Sequence, residues 1–138
     1  MRVRRDIKIG IVVALVTVAF VLGLRRISPN RDERKLREVQ AVAWSLPVFS
    51  GLREVESTTN SGYTSVMVTR RFKCVSNCDG AHEYYSKALV ASGWTRDSSS
   101  QQSSREMLFR KGDLSISVFQ GGSSQVYDYA IDTTWRYR

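Results

Sequence analysis

Apolar residues follow three different rhythms along this chain. Residues 9–24 carry no charge and hold eleven Ile, Val, Leu and Phe side chains. At roughly −0.3 to −0.6 kcal/mol each on the membrane-insertion scale, these favour insertion by roughly 5 kcal/mol. A helix of these sixteen residues rises about 24 Å, short of the ~30 Å hydrocarbon core. Ile7, Lys8, Arg25, Arg26 and Ile27 extend it, their basic side chains reaching back to the headgroups. The run predicts a single N-terminal transmembrane helix, which with its basic flank occupies residues 1–27.

The second rhythm is helical. Ser28-Pro29-Asn30 breaks the first segment, and Asn30 with Glu33 matches a capping box. From Arg31 to Trp44, Leu36, Val39, Val42 and Ala43 fall near one face, opposite Arg34, Lys35 and Glu38. This predicts a short helical stalk over residues 28–45, able to pack on its domain, a partner or the membrane interface. Leu46-Pro47 ends it, because proline lacks the donor that would continue the helix.

The third rhythm is mainly alternation, and residues 46–138 are enough for one small core. Gly51–Thr58 and Tyr63–Cys74 predict two strands joined across Thr59-Asn60-Ser61-Gly62. Val66, Val68, Phe72 and Cys74 share one face of the second strand, and Arg71 and Lys73 the other. A helix begins at Asn77 or Asp79, with Ala81, Tyr85, Ala88, Leu89 and Ser92 at helical spacing and Gly93 just beyond it. Strands follow at 94–97, 105–110, 114–120 and 126–135. The predicted class is α+β: the membrane helix, the stalk, then an antiparallel sheet with one helix packed on a face.

Charge changes the picture chiefly by excluding a function. The net +8 divides unevenly: residues 1–38 hold ten Lys and Arg against four acids, a net of +6, leaving +2 for the rest. The excess therefore flanks the apolar run, where it attracts anionic lipid, and does not form a nucleic-acid face. Arg70, Arg71 and Lys73 read as a small exposed basic cluster on a solvated strand. Four basic residues precede the run and six follow it within fifteen positions. A count alone favours a cytoplasmic C-terminus. The basic start of a signal anchor, and two cysteines suited to an oxidising compartment, favour the reverse. The expected localisation is a single-pass cell-membrane protein with a cytoplasmic N-terminus and an extracytoplasmic domain. Val21-x-Gly23 is a poor cleavage site and no lipobox cysteine follows, which argues for an uncleaved anchor.

Leu46-Pro47 followed by Gly51, Phe72, Tyr84-Tyr85-x3-Leu89-x3-Gly93-Trp94 and Phe109-x-Lys111-Gly112 make a pattern across residues 46–135. It resembles small bacterial membrane-anchored or lipoprotein modules without assigned activity. The resemblance implies a compact extracytoplasmic α+β fold and carries no catalytic residues across.

Candidate chemistry is sparse. Cys74 and Cys78 end a strand and precede a helix, close enough for a disulfide if the loop turns back. Cys74-x3-Cys78-x3-His82 also has ligand-like spacing, but a structural zinc site wants four ligands and there is no second Cys or His pair, so no metal is expected. His82 is the only histidine, no serine sits in a nucleophile elbow, and phosphate loops are absent. No enzyme and no cofactor are expected. Two functions remain. The preferred one is a non-catalytic membrane-anchored accessory or structural subunit, partnered by membrane lipid and the other subunits of a larger complex. The other is a tethered ligand-binding module with its site between helix and sheet. Trp44, Tyr84, Trp94 and Tyr127 are the candidate interaction residues.

Overall fold

In the central strands the alternation of apolar and polar residues becomes the two faces of a sheet. The computed structural model describes residues 32–62, 64–98, 105–122 and 125–137. Helix α1 spans 32–45. It is followed by β1 (Leu52–Gly62), β2 (Ser65–Cys74), α2 (Ala81–Ala91), β3 (Thr95–Arg96), β4 (Glu106–Lys111), β5 (Leu114–Gln120) and β6 (Tyr129–Arg136). The six strands form one sheet in the order β1-β2-β6-β5-β4-β3. Every neighbouring pair is antiparallel. The final strand thus inserts between the β1–β2 hairpin and the β3–β4–β5 meander, closing the centre of the sheet.

Register places one hydrophobic set on one face. Val68 of β2 lies opposite Thr133 of β6, which lies opposite Ile116 of β5, which lies opposite Phe109 of β4. All four are fully buried. Against this row pack Val39 and Ala43 of α1 and Ala81, Tyr85 and Leu89 of α2, in a single cluster. At 20–33 cal/mol per Å² of apolar surface, burial of this kind dominates the stability of a small domain.

The expected arrangement is thereby corrected. Two helices cover the sheet, and the segment expected to be a stalk supplies core residues from its Val39 stripe. Among the described residues, no helix is long and apolar enough to cross a membrane. The expected transmembrane helix, at residues 1–27, lies outside the described residues.

The strand limits also shift. β1 runs on through Thr59-Asn60-Ser61 to Gly62, and the reversal falls between Gly62 and Ser65. Turn-prone residues remain extended here because Asn60 and Ser61 continue the ladder opposite Met67 and Val66. Their polar side chains are exposed, so they meet no burial cost. A register shift between Glu54 and Glu56 adds a residue to β1 at Val55.

Helix α2 ends where its sequence says it should. Gly93 has φ +82°, a conformation an L side chain adopts only with strain. Its N–H donates to Val90 O, and the N–H of Trp94 donates to Leu89 O. This is a Schellman closure, and both Trp94 and Leu89 join the core beside it. At the other end the N-cap is Gly80, which makes no side-chain cap hydrogen bond. Asn77, expected near the start, accepts the Asp79 N–H with its Oδ1 one turn earlier.

Candidate functional site

Arg70 is the clearest departure from the surface reading of the sequence. It is 6% exposed. Its position in β2 has the parity of Val66, Val68 and Phe72, so it points under the helices, away from Arg71 and Lys73. Nε and Nη2 both donate to Glu54 Oε2, at 2.9 and 2.6 Å. Nη1 donates to Ala43 O at 2.9 Å and Leu46 O at 3.3 Å. These carbonyls lie where α1 ends, and such terminal groups have no partner within their own helix. The guanidinium also lies 5.1 Å from the Trp44 ring centre and 5.2 Å from that of Phe72. The network is a structural clamp that fixes α1 to the sheet, and the expected basic cluster is reduced to Arg71 and Lys73.

A second clamp holds the other half of α1. Asp113, in the β4–β5 turn, accepts from Lys35 Nζ at 2.6 Å and from Trp135 Nε1 at 2.8 Å. Lys35 also pairs with Glu38 at 2.9 Å. The Lys35 hydrogen bond holds the Asp113 carboxyl below its usual range. Donating hydrogen bonds to Asp113 and then to Glu38 raises the Lys35 ammonium above its own.

The four aromatic candidates do not converge. Trp44 is half exposed and stacked by Arg70. Tyr84 is half-buried, with its ring centre 5.4 Å from those of both Phe49 and Tyr85. Trp94 is buried in the core. Tyr127 is half-buried and lies under the Arg71 guanidinium, 5.3 Å from its centre. Arg71 belongs to the opposite face of β2 from Phe72, so Tyr127 and Tyr84 serve different sides of the sheet. Beside Trp94 a cavity of about 490 Å³ opens where α1 and the end of α2 meet the β4–β5 turn, lined by Val42, Leu46, Pro47, Lys111 and Leu114, and of the four candidates only Trp94 borders it.

Among the described residues, no helix lies on the second sheet face. There a concavity of about 480 Å³ is lined by Met67, Glu106, Leu108, Arg110, Asp132 and Thr134, among others. Of its charged groups Arg110 is ion-paired and Glu106 is hydrogen-bonded, whereas Asp132 Oδ1 is buried without a hydrogen-bond partner. Arg110 Nε donates to Asp97 Oδ2 at 2.6 Å, and Ser117 Oγ donates to Glu106 Oε1 at 2.7 Å. Beyond it, strand β1 forms the sheet edge. From Val55 to Gly62 every β1 residue is exposed. The other edge, β3, is two residues long.

Cys74 and Cys78 stand at disulfide distance, their Cα atoms 6.0 Å apart, and bridge the end of β2 to the approach of α2. The pair borders a shallow cavity with Asp79, His82, Asp128 and Tyr129. Burial, and then the charge of Arg96, hold the His82 imidazole below its usual range. Its Nδ1 is buried without a hydrogen-bond partner. Among the described residues, no group of three or more His, Cys, Asp or Glu side chains is placed to hold a metal ion.

Sequence reasoning missed Arg70, although the period-two pattern that placed Val68 and Phe72 inside places it there too. It also missed the length of the β1 edge, for which the only signal was Thr58-Thr59 running into the polar Asn60-Ser61. No protein-family model, curated protein or solved structure matches this chain.

Proposed function

We propose that this chain is a non-catalytic accessory or structural subunit of a larger membrane complex, docking through the β1 edge of its folded domain. The observation that carries the reading is the eight-residue exposed stretch Val55–Gly62. An edge strand offers unpaired N–H and C=O groups to an extended segment of a partner, and natural proteins usually cover, shorten or charge such edges. Here only Glu56 carries charge beyond the irregularity at Val55. The domain's large apolar side chains support the same reading, since Phe72, Tyr85, Trp94, Phe109, Tyr129 and Trp135 are all consumed by the core. The uncharged sequence 9–24, outside the described residues, supplies the attachment to lipid in this account. A disulfide-distance cysteine pair is in keeping with an extracytoplasmic domain.

The test is extraction of native membranes in mild detergent, followed by size separation and mass spectrometry of what travels with the chain. The wild-type chain migrates in a larger assembly of fixed stoichiometry. The exposed double substitution Thr58→Lys with Asn60→Lys, which charges the edge, releases it from that assembly while its melting temperature stays unchanged. Migration of the wild-type chain alone overturns the proposal, and so does retention of the doubly charged variant.

A further inference from the structure

We propose that the Cys74–Cys78 bridge is a thiol–disulfide exchange site, with Cys74 as the sulfur that an incoming thiol attacks and Cys78 as the sulfur that leaves. The bridge lies at the surface: Cys74 and residues 75–77 are exposed, and Cys78 is half-buried. The asymmetry comes from Gly51. Its carbonyl oxygen is 3.1 Å from Cys78 Sγ. A Cβ built on Gly51 would stand 3.2 Å from the same sulfur and 2.4 Å from Asn77 O, so the backbone at residue 51 is pressed against Cys78. Cys74 Sγ also has a backbone carbonyl beside it, Ser76 O at 2.7 Å, but that carbonyl belongs to the exposed 75–77 segment, so Cys74 stays open where Cys78 is half-buried.

The surroundings also accommodate the reduced state. Ser76 O lies 2.7 Å from Cys74 Sγ, and Gly51 O beside Cys78 Sγ, so each thiol has a carbonyl to receive its proton. The segments joined by the bridge are tied independently of it. Cys74 N–H donates to Asp128 Oδ2, Val75 N–H to Gly51 O, and Ala81 N–H to Cys78 O. A ring this small also constrains the unfolded chain little compared with a long loop. The bond can therefore open with strand and helix still anchored.

The exchange balances as follows for a small thiol. Its thiolate attacks Cys74 Sγ, the bond between the two Sγ atoms breaks, and the electron pair leaves on Cys78 Sγ, which takes a proton from solvent. A second thiolate then attacks the small-molecule sulfur of the mixed disulfide, releasing the Cys74 thiolate. Two thiols are oxidised to one disulfide, and the bridge is reduced to two thiols.

The experiment equilibrates the full chain, in detergent and without denaturant, with glutathione buffers of graded reduced-to-oxidised ratio, then quenches in acid and maps adducts by mass spectrometry. The reduced fraction follows the buffer, circular dichroism is preserved, and the trapped glutathione is on Cys74. In the single-cysteine chains, Cys78→Ser forms its adduct with oxidised glutathione about tenfold faster than Cys74→Ser, because reactivity follows access. A bridge that stays closed across the whole range overturns the proposal. Glutathione trapped on Cys78, or loss of the circular dichroism spectrum on reduction, overturns it as well. The wild-type adduct map decides the question even where a single-cysteine chain fails to fold.

Discussion

Arg70 shows how a charged residue becomes a core residue when every donor it carries finds an acceptor. Desolvating a guanidinium is expensive, and truncating one partner of a buried, hydrogen-bonded charge is destabilising because the rest of the network is left behind. Arg70→Met strands the Ala43 carbonyl of α1, the Leu46 carbonyl just beyond it and the Glu54 carboxylate, and it lowers the free energy of unfolding in urea by about 2 to 3 kcal/mol. Arg71→Met, one position along on the other face, leaves the urea midpoint nearly unchanged. Equal losses for the two would mean that Arg70 is not the clamp. The sequence contained this distinction as strand parity, but adjacency to Arg71 and Lys73 suggested a shared surface. His82 provides a second residue-scale check, since it is the only histidine and its nuclear magnetic resonance titration is unambiguous. Burial lowers its folded pKa below the ordinary imidazole value of about 6.5, so the unfolded chain binds its proton more readily. Its contribution therefore costs stability as pH falls from about 6.5 through the folded pKa and vanishes above that window. His82→Gln removes this slope, and a midpoint at or above 6.5 in the folded chain would contradict it.

At the scale of elements, the helical period of Leu36, Val39, Val42 and Ala43 was readable, but the surface it covers was not. An amphipathic stripe specifies that something is buried, not what buries it. The covering surface is made by β2, β5 and β6, which lie far along the chain from α1, and no local pattern encodes that pairing. Val39→Ala consequently lowers stability by roughly 2 kcal/mol in urea unfolding, as for truncation inside a core. An unchanged midpoint would mean that α1 stands off the domain as a spacer. The Gly93-Trp94 corner was legible for the opposite reason: the constraint is a backbone conformation that one residue type meets cheaply. β5 was legible from Leu114 to Gln120 because it is half-buried and alternates cleanly. β1 was underestimated because its exposed half carries no such alternation, and turn-prone residues there look the same in an edge strand as in a loop.

At the scale of the folded domain, the helices and the core define a closed side, and the sheet face that no described helix covers, with the β1 edge, defines an open one. The antiparallel pairing was legible in the sequence, whereas the second helix on the sheet and the candidate aromatic surface were not, the latter because side chains grouped by type disperse once the sheet assigns them to faces. Trp94 went to the core and Tyr127 to Arg71. What remains available for a partner is backbone at an edge, which sequence patterns do not mark, together with scattered exposed apolar side chains such as Trp44 and Val126. The most direct measurement is site-specific photo-cross-linking in native membranes, with the photoreactive residue at exposed Asn60 on β1 or at exposed Lys87 on α2. The account predicts a discrete cross-linked partner from position 60 and none from position 87; a partner captured from 87 alone, or none from 60, would contradict docking at the β1 edge.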